Sequence, residues 1–165
     1  MFGKSKAKLK KERDYPSAAE VANVFIKLAE RDGKTLNNLQ LQKLVYIAYG
    51  FSQGILGKPL FHDNIQAWAL GPVIPNLYHQ LKKYGWGDVT DYIETKEEIS
   101  DGDPAIKIIE AVRNSYGQFT GEELSALTHQ DDTPWSSVWE PGIKDIEIPD
   151  EIIQRHYREK LAHVQ

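Results

Sequence analysis

Three kinds of sequence pattern predict a mainly α fold for this chain: a compact single domain of six or seven helices with a small β-hairpin or a few short strands. Apolar residues recur at helical spacing in several segments, and capping residues stand where those segments begin. Short apolar runs between Gly and Pro are typical of strands. The length of 165 residues suits one domain, and the sequence has neither repeats nor an interdomain linker.

Composition narrows the class of protein. Hydrophobic residues make up 41% and charged residues 27% of the chain, which is ordinary for a globular domain. The absence of cysteine excludes disulfides and thiolate metal sites. No apolar run approaches the roughly 18 residues of a membrane span, and no signal-peptide core follows Met1. We therefore expect a cytoplasmic protein with no membrane partner.

The charge is unevenly distributed. Residues 1–14 hold six basic and two acidic side chains, whereas the whole chain has a net charge of −4, so residues 15–165 carry −8. We expect residues 1–14 to form a basic, disordered tail and residues 15–165 to form the domain. An acidic body repels phosphate backbones, so DNA binding is not expected. Only the basic tail is suited to contacting RNA or another acidic partner.

The first two helices have clear boundaries in the sequence. Ser17 opens a capping-box pattern, and Gly33 is placed to end the first helix. Asn38 is predicted to cap the second helix, whose broad apolar stripe is typical of a central core helix. Gly50 and Gly54 lie four residues apart on one side of it, which predicts close packing of another element there.

An apolar stretch rich in Gly and Pro, residues 68–75, is the most distinctive feature of the chain. Residues 60–61 and 65–70 are predicted to form the small hairpin before it. At residues 71–72, Gly followed by Pro should interrupt a regular ladder or helix, and Pro75 fits the first turn of the next helix. We interpret the stretch as a shaped surface or a buried hinge, because its residues offer no catalytic groups.

The second half of the chain alternates capped helices with polar segments. Residues 86–101 are polar and lack periodicity, although Tyr92, Ile93 and Ile99 suggest one extended piece. Ile146 and Ile148 alternate with polar residues, which suggests a second extended piece. The remaining predicted N-caps, each before an apolar periodic segment, are Asp103, Thr120, Thr133 and Asp150.

The best candidate for a metal site is His129 with Asp131 and Asp132, three potential ligands within four positions. A structural interpretation competes with it, because the two acids suit the cap of the next helix and a histidine suits a helix C-terminus. The sequence contains no nucleophile elbow, phosphate-binding glycine loop or His-Glu-x-x-His helix. We therefore predict no catalytic residues, cofactor or metal, and do not expect an enzyme.

The four tryptophans are the remaining candidates for function. Several stand beside Pro or Gly, and aromatic side chains on rigid turns are favoured anchors at protein–protein interfaces. The alternative for each is a place in the core. For Trp68 and Trp135 both interpretations remain open.

Taken together, these motifs resemble the Panacea domain, also described as SocA-like or GepA-like, of bacterial and phage antitoxins. The resemblance covers residues 17–161. It is carried by Trp-x-x-Gly-Pro-Val followed by Thr-His-x-x-x-x-Pro-Trp, together with Lys-Leu-Val-Tyr at residues 43–46, Tyr-Gly at residues 116–117 and Leu124 to Leu127. The motif residues are Trp68, Gly71, Pro72, Val73, Pro75, Tyr78, Thr128, His129, Pro134 and Trp135.

The resemblance implies an antitoxin of a type II toxin–antitoxin system, which neutralises a cognate toxin by direct binding. In the SocA branch it also implies an adaptor that delivers the toxin to the ClpXP protease. The motif residues either form the partner-binding surface or define the fold, in which case loops such as residues 87–102 select the toxin. The competing hypotheses are a metal-dependent enzyme using His129, Asp131 and Asp132, and an RNA-binding module using the tail.

Overall fold

A computed structural model describes residues 15–162. The predicted tail, residues 1–14, lies outside the described residues. The described chain contains seven helices and one three-stranded antiparallel sheet, which confirms the mainly α prediction. In chain order the elements are α1 (Ala18–Arg31), α2 (Asn38–Leu56), β1 (Gln66–Trp68), β2 (Gly71–Val73), α3 (Pro75–Leu81, continued by a 3-10 turn Lys82–Tyr84), α4 (Pro104–Tyr116), α5 (Gly121–Thr128), α6 (Pro134–Val138), β3 (Ile146–Glu147) and α7 (Asp150–Ala162).

Helix α2 is the centre of the molecule, because α1, α4, α5 and α7 all pack around it. Most of its residues are buried on every side, as expected for a helix enclosed by others. The glycine side of α2 faces α7: a Cβ at Gly50 would lie 2.2 Å from the Tyr157 ring, and one at Gly54 would lie 2.9 Å from Leu161 Cδ1. The predicted close packing at these two glycines is confirmed.

Most of the predicted helix starts are confirmed by their hydrogen bonds. Ser17 accepts from the backbone of Glu20, and Asp103 accepts from that of Ala105. Thr120 forms a reciprocal capping box with Glu123. The predicted cap Asp150 is instead the first residue inside α7, and its carboxylate accepts from the Tyr49 hydroxyl. The tertiary structure therefore leaves these local preferences in place.

The cap predicted for α2 is wrong by one residue. Asn37, not Asn38, caps α2, because Gln40 stands three residues after Asn37 and completes a capping box with it. Asn38 is instead inside the helix, where it accepts from Gln42. For α6 the predicted cap Thr133 is confirmed, since it accepts from Ser136, so the structural alternative in which Asp131 and Asp132 cap this helix is wrong.

The hairpin exists, but its strands differ from those predicted. Residues 60–61 form no strand, and β1 pairs instead with β2, Ala67 opposite Pro72. The prediction that residues 71–72 interrupt the ladder is therefore wrong. Pro72 fits because β2 lies at the edge of the sheet, whose order is β2-β1-β3, and an edge strand tolerates a residue without an N–H. The predicted extended piece at Ile146 is confirmed as β3.

The segment between α3 and α4 is irregular, and the extended piece predicted around Tyr92, Ile93 and Ile99 is not a strand. Its backbone is held by a side chain instead. Ile93 donates its N–H to Asn23 Oδ1 at 2.8 Å, and its carbonyl accepts from Asn23 Nδ2 at 2.9 Å. Within residues 15–162, no helix has the length and apolar character needed to cross a bilayer.

Candidate functional site

The motif residues meet at a junction between the hairpin and three helices, which we call the motif junction: residues 68–75, Gln42 and Lys43 of α2, residues 125–129 of α5 and its C-cap, and Trp135 of α6. Side chains of α2 hold the hairpin by its backbone. Lys43 Nζ donates to the Pro72 carbonyl at 2.7 Å, and Gln42 Oε1 accepts from the Ile74 N–H at 2.9 Å. These bonds satisfy groups at the sheet edge that β1 does not pair.

Helix α5 holds the other end of the hairpin. Ser125 Oγ donates to the Leu70 carbonyl at 2.5 Å. Thr128 Oγ1 donates to the Leu124 carbonyl at 2.9 Å, so its hydroxyl is occupied within its own helix. The same hydroxyl forms one wall of the space around Gly71.

The junction leaves little room around Gly71. Its φ is +111°, a conformation that side chains rarely adopt. A Cβ at this position would lie 3.2 Å from Thr128 Oγ1 and 3.3 Å from Lys43 Nζ. Both the backbone geometry and the tight packing therefore require glycine, as its place in the apolar stretch suggested.

Lys43 is a fully buried lysine at the centre of the junction. Its amine has one hydrogen bond, to the Pro72 carbonyl. Burial lowers the pKa of the Lys43 ammonium to about 7, because desolvation disfavours the charged form. The amine is sealed from solvent, so its position suits a structural tie better than a nucleophile.

Trp135 closes the junction from the side of α6. Its Nε1–H donates to the Trp68 carbonyl at 2.6 Å, and its side chain is buried. Its ring stacks on Trp139, with centroids 4.8 Å apart and planes inclined by 19°. The ring of His129 meets it edge-on at 5.2 Å. Trp135 thus belongs to the core and is anchored by its polar end.

The structure brings the motif residues together but leaves few of them accessible. Trp68 and Tyr78 are half-buried and touch each other edge-on, with ring centroids 4.9 Å apart. Pro75 begins α3 and, like His129, is half-buried. The motif residues that are buried are Gly71, Pro72, Val73, Thr128, Pro134 and Trp135.

The proposed metal ligands do not assemble into a site. His129 directs Nδ1 to the Ser125 carbonyl, while Asp131 and Asp132 are exposed in the following loop. Among residues 15–162, no three His, Asp or Glu side chains are grouped so that they could hold a metal ion. The metal-dependent hypothesis therefore has no geometric support in this part of the chain.

Two residues of the junction escaped the sequence analysis, Gln42 and Ser125. Gln42 is 2% exposed and links Asn38 Oδ1 to the Ile74 N–H. A glutamine inside a broad apolar stripe is a signal of a buried polar tie, but the sequence does not reveal what it would bind. Ser125 has a similar role on α5.

Comparison with known proteins places the chain in a family. The model of the family described as "Antitoxin SocA-like, Panacea domain" matches residues 41–136, which include the whole motif junction. A curated relative, Antitoxin SocA of Caulobacter vibrioides, is 27% identical over 154 residues, covering 86% of this chain and 82% of that protein. A search of solved structures found no significant match. The chain belongs to the SocA-like antitoxin family with a Panacea domain.

Proposed function

We propose that this protein is an antitoxin that neutralises a toxin protein by binding it directly. The observation that carries the proposal is the family match over residues 41–136, which covers most of the central helix and the whole motif junction. The relative named Antitoxin SocA supports it, since the alignment extends over most of both chains. The motif residues act as a scaffold in this proposal, because most of them are buried.

A scaffold antitoxin needs an accessible surface of standard size, roughly 800 Å² on each partner. Within the motif, Trp68 and Tyr78 are the large side chains that reach the surface. We propose that the buried part of the motif stabilises the fold. Any direct contact between the motif and the toxin is then made by Trp68 and Tyr78.

The test is co-expression with the toxin encoded beside this gene. We expect the protein to restore growth and to copurify with that toxin as a stoichiometric complex. Trp68→Ala with Tyr78→Ala tests a contact by the motif, and Trp86→Ala, which removes a ring that is 79% exposed, is the control. Growth without a complex and without loss of toxin would contradict neutralisation by direct binding.

The resemblance to the SocA branch raises a second route, in which the protein is an adaptor that delivers its toxin to ClpXP. The two routes differ in what happens to the toxin. An adaptor shortens the half-life of the toxin and loses its protective effect in cells without ClpX. A binding antitoxin protects those cells equally well, so a chase experiment in both strains separates the two.

A further inference from the structure

A groove on the side of α1 lies outside the motif junction and has no role in the function proposed so far. It has a volume of about 810 Å³ and lies between α1, the start of α4 and the irregular segment of residues 92–101. We call it the α1 groove. The residues that α1 contributes, from Glu20 through Val24 and Leu28 to Arg31, recur at helical spacing and form one stripe.

The wall formed by residues 92–101 is fixed at its beginning. Asn23 holds both backbone groups of Ile93, and the Tyr92 hydroxyl donates to Glu30 at 2.5 Å. Further along, the backbone groups of residues 94–99, all of them described, make no hydrogen bond to another backbone group. The wall is therefore anchored at its beginning. Along residues 94–99 the Glu97 carbonyl accepts from the Thr95 hydroxyl at 2.8 Å, and the backbone groups that have no such bond can pair with an extended segment.

The groove combines an apolar floor with an acidic rim. Val24 and Leu28 of α1 and Ile93 and Ile99 of the wall contribute to the floor. Six carboxylate side chains and three cationic side chains line the groove, a net charge of −3. Tyr92, which is 52% exposed, stands on the rim and supplies the kind of aromatic side chain that is enriched in binding hot spots.

The acidic groups are close enough to affect one another. The pKa of Glu20 is raised, first by burial and then by the neighbouring charges of Glu97 and Asp63, against hydrogen bonds from Ser17 that lower it. Lys27, Arg31 and Lys96 also line the groove but leave the excess negative. A bound cationic side chain would reduce this repulsion, whereas a phosphate backbone would increase it.

We propose, on the basis of the antitoxin function proposed above, that the α1 groove binds a segment of the toxin that carries both apolar and basic side chains. The apolar side chains occupy the floor, and Lys or Arg side chains pair with the rim. The body of the chain, residues 15–165, has a net charge of −8, which favours encounter with such a partner. The binding determinant is thus separate from the buried motif.

The first test removes three rim charges from the full chain. Glu97→Gln, Glu98→Gln and Asp101→Asn are combined, and the control combines Glu122→Gln, Glu140→Gln and Glu159→Gln, three exposed residues that do not line the groove. Both variants change the net charge equally. We expect the rim variant to raise the Kd for the toxin encoded beside the gene at least tenfold. The control should change this Kd less than twofold.

The possible outcomes separate the two proposals. If the unmodified protein neither binds nor neutralises the toxin, the proposed function is wrong and the groove proposal falls with it. If the unmodified protein binds and the rim and control variants weaken binding equally, the protein is an antitoxin but the α1 groove is not its binding site.

A second test locates the occupant. The chain has no cysteine, so Lys96→Cys on the groove rim and Ser115→Cys outside it each accept one maleimide-linked photo-crosslinker. We expect Lys96→Cys to crosslink to the toxin and Ser115→Cys not to. Crosslinking of Lys96→Cys to residues 1–14 of its own chain, undiminished when toxin is added, would overturn the proposal by identifying the basic tail as the occupant.

Discussion

At the scale of single residues, Gly71 is the position where sequence and structure agree most directly. A Cβ there would require a φ of +111° and would approach Thr128 Oγ1 and Lys43 Nζ. We expect Gly71→Val to lower the free energy of unfolding by about 3 kcal/mol, because strained backbone and overpacking add. Urea denaturation of the purified protein measures this change.

Gly33→Val is the matched control for Gly71→Val. Gly33 also has a positive φ, +68°, but a Cβ there would have no atom within 4 Å. We expect this substitution to cost only about 1 kcal/mol, the part due to backbone conformation alone. Equal effects at the two positions would show that the junction does not press on Gly71.

Lys43 leads to a prediction about pH. Its folded-state pKa is about 7, whereas a lysine in the unfolded chain titrates near roughly 10.4. Between these values the unfolded chain binds more protons than the folded chain, so the free energy of unfolding rises with pH. We expect a rise on the order of 2 kcal/mol between about pH 7.5 and 9.5, measured by urea denaturation at each pH.

The chosen range avoids the other shifted groups. The pKa of His156 is lowered, first by burial. Its effect on the pH dependence of stability is therefore confined to pH values below the ordinary histidine pKa. Burial raises the pKa of Tyr46, Tyr49 and Tyr157, which lowers stability chiefly as the pH approaches and passes the ordinary tyrosine pKa of roughly 10. Lys43→Met keeps the volume and removes the charge, and should flatten the rise. An unchanged slope in Lys43→Met would assign the pH dependence to another group.

The sequence predicted the special role of Gly71 but not that of Lys43, and the reason is physical. Glycine followed by proline restricts the backbone whatever surrounds it. Lysine is rarely buried, and the sequence indicated Lys43 only as part of the Lys-Leu-Val-Tyr motif, with no structural role. Its burial depends on the Pro72 carbonyl, which lies 29 residues away and whose approach no local pattern encodes.

At the scale of elements, the contact between α2 and α7 follows from the two glycines. Alanine in place of Gly50 would gain about 1 kcal/mol of helix propensity, but its Cβ would lie 2.2 Å from Tyr157 Cε2. We expect Gly50→Ala to lower the free energy of unfolding by about 2 kcal/mol, since the buried ring has little room to move.

A double-mutant cycle with Tyr157→Ala tests whether the ring is the cause. In that background the clash is gone, so Gly50→Ala should be neutral or stabilising when measured by the same urea denaturation. Additive effects of the two substitutions would mean that Gly50 is required by something other than the approach of α7.

Helix ends were more predictable than strand pairing. Caps such as Thr120 depend on residues three positions away, so the sequence contains both partners. The strands β1 and β2 have three residues each, too few for a periodicity to show. A side chain of α2 holds β2, and one of α5 holds the turn before it. Such pairing is decided by tertiary contacts, which explains why residues 60–61 were wrongly assigned to the hairpin.

At the scale of the whole molecule, the buried motif and the open groove separate stability from recognition. The motif identified the family because its residues build the junction, where glycine, proline and tryptophan have few substitutes. The α1 groove was not visible in the sequence beyond the general expectation that residues 87–102 select the partner. Its geometry depends on Asn23 and Ile93, which are 70 residues apart.

The charge distribution leads to a last prediction, on the rate of association. Removing residues 1–14, which carry a net +4, changes the net charge of the chain from −4 to −8. For a basic toxin we expect the truncated protein to associate about two to ten times faster at low salt, because attraction between opposite charges accelerates encounter. The two rates should converge as salt screens the charges. Stopped-flow mixing with the toxin over a salt series measures both rates. Slower association of the truncated protein at low salt would show instead that the tail itself contacts the partner.

An RNA-binding role of the tail makes a different prediction, since it requires RNA affinity that falls steeply with salt and disappears on truncation.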